Sequence, residues 1–360
     1  MRFFDAHCDV VINALDGDFE FVRGDGHGHL DLPRLREAEV GVQIFAVFTS
    51  LGYRPDPELD LRVYAERAID TIHGWAKASG GRLRIALTSA DIREAAGPSP
   101  IDAPAPVYGL IGLEGADPLG DRADNLTHFY RAGVRNLIPA WDDNAFSGAA
   151  FGSGSSLTPE GFRLIERAEE LGVMVDVSHL SDAAFEQVCI IARRPFIASH
   201  SNCRAVSPHR RNLTDAMIRA VADRGGVMGI NLAPTFLDPE FKAAWDGVMA
   251  PVAAAGMVAQ REFEEEFAGR LEAIPLPAPE WIARHVQHAI RVGGEDCVGL
   301  GGDLDGIRAL PAGMSGVESY PLIPDLLARA GLTGRQVEKV CWGNMVRVFE
   351  DVLPQRDDIR

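Results

Sequence analysis

Imidazole and carboxylate groups recur in this chain at the ends of short apolar runs. The first run closes on Asp5-Ala6-His7-Cys8-Asp9. Alternate side chains of a strand share a face, so His7 and Asp9 are expected to point together, with Cys8 opposite. Imidazole nitrogen and carboxylate oxygen are ligands that a borderline divalent metal such as zinc accepts. Alone, one His-x-Asp pair is a weak signal. A later run, YGLIGLEG, carries Glu114 near its end. A carboxylate there is costly unless it is paired or coordinated. VMVDVSH then ends in His179, and FIASH ends in His200. With Glu114 shared, the five groups would hold two metals with three ligands each, leaving each ion a position for water. Asp303, in GLGGDLDG, would face the same place and could accept a proton from such a water.

Other candidates carry less weight. His27-Gly28-His29 has a metal-like spacing but follows GDG rather than an apolar run, so it reads as a loop. His73, His128, His285 and His288 fall in helix-like stretches and read as surface or packing residues. The five cysteines show no CxxC spacing, which argues against a structural zinc site and for free thiols in a reducing compartment. No serine sits on a nucleophile-elbow motif.

These groups need a scaffold that converges them. Eight runs rich in apolar and β-branched residues occur at 3–10, 40–48, 108–114, 134–140, 173–179, 196–201, 226–232 and 297–304. Buried parallel strands read this way because both faces are covered. Between them lie stretches with helical spacing, such as 57–75, 159–171 ending at Gly172, and 214–224 ending at Gly225. Strand–helix alternation repeated eight times predicts a (β/α)₈ barrel, an α/β TIM barrel whose strand carboxyl ends share one mouth. His7 and Asp9, Glu114, His179 and His200 would then meet at that mouth from the first, third, fifth and sixth strands.

The chain of 360 residues is expected to form one metal-dependent hydrolase domain, 1–360. Residues 95–106, rich in Pro and Ala, read as an exposed loop. Residues 234–274, which include REFEEEF at 261–267, read as a helical insertion between the seventh and eighth strands. The net charge of −17 argues against general nucleic-acid binding. No signal peptide or spanning segment is visible, so a soluble cytoplasmic enzyme without a membrane partner is expected. Homo-oligomerisation is left open.

From end to end the chain resembles the membrane (renal) dipeptidase family of zinc metallopeptidases, in the amidohydrolase superfamily. The resemblance rests on DAHCD, HLDLPRLREAEVGVQIFAVF, GLEGAD, GVRNL, DVSHLSD, SHSNCRAVSPHRRN, GGVMGIN, VGLGGDLDG and WGNMVRVF, in family order. It implies one zinc on His7 and Asp9, another on His179 and His200, and Glu114 together with a water or hydroxide bridging them. It makes Asp303 the acid/base residue and Arg211 the group that grips a substrate carboxylate, a role suited to a guanidinium fork. Where the animal enzymes carry a substrate-contacting His after the fourth strand, this chain has Trp141, with Asn144 retained nearby, as in a bacterial-type branch. Both are expected to bind substrate. The resemblance thus implies a binuclear zinc dipeptidase acting on short peptides with a free C-terminal carboxylate and tolerating or preferring a C-terminal D-residue. The rivals are another amide or ring hydrolase of the superfamily, and a non-catalytic protein that retains the metals.

Overall fold

The computed structural model describes residues 1–17, 19–49, 58, 60–98, 105–254 and 268–355. Nine parallel strands form one sheet: β1 Phe3–Cys8, β2 Val40–Phe48, β3 Leu83–Ile85, β4 Val107–Glu114, β5 Val134–Ile138, β6 Met174–Val175, β7 Ile197–Ala198, β8 Val227–Ile230 and β9 Val298–Leu300. Their order is β6-β5-β4-β2-β1-β9-β8-β7. A parallel bridge between Asp176 and Ile197, with Val177 N–H donating to the Ile197 carbonyl at 2.7 Å, joins β6 to β7. The result is a nearly closed eight-stranded α/β barrel, as the sequence predicts. β3 is additional. It pairs only with the first residues of β4, on the edge that β5 occupies further along.

The helices follow local rules. Helix Pro159–Leu171 starts at Thr158, whose hydroxyl accepts the Gly161 N–H, and stops at Gly172 in the left-handed region. Helix Asp215–Asp223 is capped in the same way by Thr214. Helix Leu61–Ala78 starts at Asp60, later than the expected 57–75, and buries Ala65, Ala68, Ile69 and Ile72 against the barrel. Helix Ser89–Ala96 takes in Ala95 and Ala96, the first residues of the expected loop 95–106; residues 99–104 of that loop lie outside the described residues. Between β8 and β9, Pro234–Leu237, Pro239–Ala254 and Ala268–Glu272 are helical, and the REFEEEF stretch also lies outside the described residues.

Two apolar layers position the site. Phe4, Ala6, Val42, Ile44, Leu110, Met174, Ile197 and Val227, from the early parts of six strands, pack together inside the barrel. Helix Asn344–Val352 plugs that end, with Phe349 stacked on Phe4 at 5.2 Å. A larger cluster fills the space between barrel and helices. The amino end is therefore closed with apolar side chains, and polar groups are left to the carboxyl end.

Candidate active site

The aim of His7 depends on a β-bulge. Asp5 pairs with Gln43 and Cys8 with Phe45, so β1 carries one extra residue between them. Phe4 and Ala6 face the barrel interior, and strict alternation would send Cys8 there too. Instead Cys8 lies in the outer apolar layer and His7 turns to the mouth. A bulge re-aims side chains in this way. Asp9 stands at the N-cap of helix Val10–Asp16 without making a side-chain capping bond.

The structure brings His7, Asp9, Glu114, His179 and His200 together. His7 Nε2 lies 3.3 Å from Asp9 Oδ2 and 3.4 Å from Glu114 Oε2. The other Glu114 oxygen lies 3.1 Å from His179 Nε2 and 3.7 Å from His200 Nε2. Glu114 thus turns one oxygen to each set. The His179 and His200 Nε2 atoms converge to 2.8 Å, and the His200 ring stacks on His7 at 3.7 Å. Ser199 Oγ, 2.7 Å from His200 Nδ1, fixes that ring from behind. Asp303 closes the first set, with ligand-type atoms of His7, Asp9 and Asp303 all within 4.8 Å of one another. His179 and Asp303 have φ of 70° and 59°. Left-handed backbone at such residues costs roughly 1–3 kcal/mol each and is typical of sites over-determined by their surroundings.

All five groups are buried, and no protonation state suits them together. Burial opposes a charged His7, but the Glu114 and Asp9 carboxylates outweigh it and hold its pKa well above the ordinary value. Burial pushes His179 down to about 3, with Arg211 adding to the effect, and lowers His200 as well. Burial and Glu114 raise Asp9. Burial works to raise Glu114 too, yet His7 and His179 hold it below the ordinary carboxylate range. His7 Nδ1, Asp9 Oδ1 and His179 Nδ1 are buried without a hydrogen-bond partner among the described residues. Such orphaned donors and acceptors cost energy unless they coordinate something. The donor set, neutral nitrogens and anionic oxygens within one cavity, fits divalent cations.

Around this cluster stand the remaining candidates. Asp303 is half-buried, and its Oδ2 accepts a 2.7 Å bond from Asn231 Nδ2. Burial raises its pKa, opposed by His7. Arg211 is 3% exposed; Nη1 donates to Ser201 Oγ at 2.9 Å and Nη2 to the His200 carbonyl at 3.1 Å. Trp141 is half-buried, its ring 5.7 Å from that of His179 and 5.1 Å from that of Phe48. Asn144, expected at the substrate, makes four hydrogen bonds within the protein. Its amide donates to Asp117 and to the Pro139 carbonyl, and its Oδ1 accepts from Phe146 and Ser147. Bonded within its own loop and to Asp117 in the turn after β4, it braces the loop that presents Trp141.

Sequence reasoning passed over some contributors. Asn231 ends the run GGVMGIN, at the same strand end as these groups, and that position is its signal. His209 accepts the Arg211 backbone N–H at 3.0 Å, and its ring lies between those of Phe151 and Phe236. His29, from the His-Gly-His loop, pairs with Asp305 instead of ligating: its N–H donates to Asp305 Oδ1, and its Nδ1 accepts the Asp305 N–H. His285 is buried in helix Glu280–Gly293, bonded to Cys203 N–H and the Leu237 carbonyl. His73, His128 and His288 bond the Ala132 carbonyl, Glu66 and Asp215.

A barrel with imidazoles and carboxylates converging at its carboxyl mouth has the donor set and placement of a metal-dependent enzyme. Comparison with known proteins narrows this. The sequence profile of the membrane dipeptidase family, peptidase family M19, matches residues 1–359. A Klebsiella pneumoniae protein described as lying in the pqqA 5′ region is 32% identical over 77% of this chain and 92% of its own length. Human dipeptidase 3 is 28% identical over 94% of this chain and 62% of its own length. A solved metallopeptidase from Rhodobacter sphaeroides, liganded with a phosphinate mimic of L-Ala-D-Ala, is 26% identical with a TM-score of 0.79, covering 98% of this chain and 99% of that one. The chain belongs to the membrane dipeptidase family of metallopeptidases. It is an enzyme of the metallo-dipeptidase class. Among the described residues no helix is long and apolar enough to cross a membrane.

Proposed function

We propose that this chain is a binuclear zinc dipeptidase that hydrolyses short peptides with a free C-terminal carboxylate and accepts a D-residue there. The carrying observation is the split of Glu114, one oxygen toward His7 and the other toward His179 and His200. In this reading His7 and Asp9 hold one ion, His179 and His200 the other, and Glu114 both. Bound zinc supplies carbonyl polarisation and water of lowered pKa. The chain's own residues do the rest. Asn231 occupies Asp303 Oδ2, which leaves Oδ1 to hold a proton and deliver it to the departing amine. Arg211, whose Nε has no partner among the described residues, receives the terminal carboxylate. Trp141 and Phe151, with rings 5.7 and 6.3 Å from His179, wall the side-chain space. Acceptance of a D-residue is supported by the L-Ala-D-Ala mimic in the Rhodobacter relative. A cytoplasmic location is proposed on the cysteines alone, all five of which are unpaired.

The test is zinc analysis combined with a screen of L-Xaa–L-Xaa and L-Xaa–D-Xaa dipeptides. About two zinc ions per chain with turnover in both series is the expected result. Glu114→Gln should weaken both ions. Retention of both ions by that variant would overturn the bridging role. A zinc-loaded protein that cleaves no dipeptide would overturn the activity.

A further inference from the structure

Two wholly buried aspartates have no part in the chemistry above, yet they share one hydrogen-bonding pattern. Asp5 Oδ1 accepts the N–H of His7, two residues on, at 3.4 Å and the N–H of Gly302, beyond β9, at 2.7 Å. Its Oδ2 accepts the Tyr320 hydroxyl at 2.9 Å. Asp176 Oδ1 accepts the N–H of Ser178, two residues on, and that of Ser199, beyond β7, both at 3.0 Å. Its Oδ2 accepts Asn136 Nδ2 at 3.1 Å. In each case one oxygen joins the backbones of two adjacent strand ends, and a side chain from a third element fixes the other oxygen.

The joined backbones are those of the site. Gly302 precedes Asp303, Ser178 precedes His179, and Ser199 precedes His200. His7 itself sits on the bulge. Where strands bulge or end, buried N–H groups lose their ladder partners, and each orphan is costly unless another acceptor meets it. A carboxylate is a strong acceptor for converging N–H groups. The space is closed as well: a Cβ on Gly302 would lie 2.0 Å from Tyr320 Oη.

We infer that Asp5 and Asp176 are positioning residues, two buried staples that each hold one half of the metal site: Asp5 sets His7 against Asp303, and Asp176 sets His179 against His200. The inference rests on the metal reading above. It goes beyond that reading in dividing the site into independently supported halves.

The experiment uses the full chain with Asp5→Ala, Asp5→Asn, Asp176→Ala, Asp176→Asn, Asn136→Ala and Tyr320→Phe. Three properties are measured: zinc retained per chain against a zinc-buffering chelator, kcat and KM on a dipeptide, and hydrogen exchange by peptide. Outer-support residues of metal sites typically carry about 10- to 100-fold in affinity or activity. Asp5→Ala should weaken one ion and lower kcat by about that factor, with KM moved by less than about threefold. Its exchange should quicken in 1–9 and 298–304 only. Asp176→Ala should weaken the other ion and quicken exchange in 174–180 and 196–201 only. The Asn variants keep Oδ1 and should stay within about threefold of wild type. For Asp176→Asn, Asn136 can turn its partnerless Oδ1 toward the new amide. Should Asp5→Ala fail to fold, Tyr320→Phe decides, and should Asp176→Ala fail, Asn136→Ala decides: quicker exchange confined to 1–9 and 298–304, or to 174–180 and 196–201, supports the staple, and unchanged exchange there overturns it. Asn variants as impaired as Ala, or Ala variants that loosen both halves alike, also overturn it. A wild-type chain that binds no zinc would sink the metal reading while the exchange measurements still judge the staples.

Discussion

Arg211→Ala separates hydrolysis of a peptide bearing a terminal carboxylate from hydrolysis of a neutral amide or ring. Burial draws the Arg211 pKa down to about 10 against the pull of Asp303 and Glu114, so the group is a cation at neutral pH. Removing one partner of a buried, hydrogen-bonded charge pair costs ~2–5 kcal/mol. Here Nη1 and Nη2 already serve Ser201 and the His200 carbonyl, and Nε alone is wholly uncommitted among the described residues. The lower part of that range, ~2–3 kcal/mol, is therefore expected. At ~1.4 kcal/mol per factor of ten, this is ~30- to 150-fold in kcat/KM.

The assay compares a dipeptide with its C-terminal amide on wild type and Arg211→Ala. The amide carries no charge for the guanidinium to meet, so its kcat/KM should fall by less than about threefold in the variant. The difference between the two losses isolates the carboxylate contact from any disturbance of His200. Arg211→Lys keeps a point charge but not the fork, so an intermediate loss is expected. Equal losses on acid and amide would refute the reasoning and place Arg211 among the supports of His200.

Gly306→Ala would put a Cβ 2.2 Å from Asp9 Oδ2 and 2.5 Å from Asp303 Oδ1. One carboxylate must move, and a displacement of about 1 Å at such a site can cost ~10²-fold in kcat. Wild-type kcat in that variant would show the crowding to be harmless. His285 supplies a pH prediction. Burial lowers its pKa to about 4 from the ordinary 6.5, so the unfolded chain binds the proton more readily. Its contribution to stability is full above pH 6.5 and is lost as pH falls toward about 4, roughly 3 kcal/mol in all. Urea midpoints between pH 7 and 4.5 should fall more steeply for wild type than for His285→Gln, and equal slopes would show that His285 does not carry this part of the acid response.

The barrel was legible because buried parallel strands leave long apolar runs, and each of the eight runs contains a strand of the nearly closed sheet. Helix limits were legible where capping chemistry is explicit, as at Thr158 and Gly172. β3 escaped because three residues paired to one neighbour leave no periodicity to read. β6 and β7 are only two residues long, since their runs leave the ladder early to present His179 and His200. The convergence of His7, Asp9, Glu114, His179 and His200 could be read because each ends or follows a run whose direction the barrel fixes.

The aim of each group within the mouth could not be read in the same way. Alternation relates His7 to Asp9, but a single extra residue in β1 decides whether His7 or Cys8 faces the mouth. That bulge has no marker of its own in FFDAHC, because what stabilises it is distant: Asp5 reaches Gly302 and Tyr320, about three hundred residues away in the chain. The loop carrying Asn144 makes the same point. Counting along GVRNLIPAWDDNAF gives the position of an amide but not its bonds, which in the fold run to Asp117, Pro139, Phe146 and Ser147. Ligand identity is a property of one residue type at a strand end. Ligand aim comes from backbone hydrogen bonds between segments that meet only after the barrel closes, so it is there, at Asp5 and Asp176, that substitutions should alter function without touching a ligand.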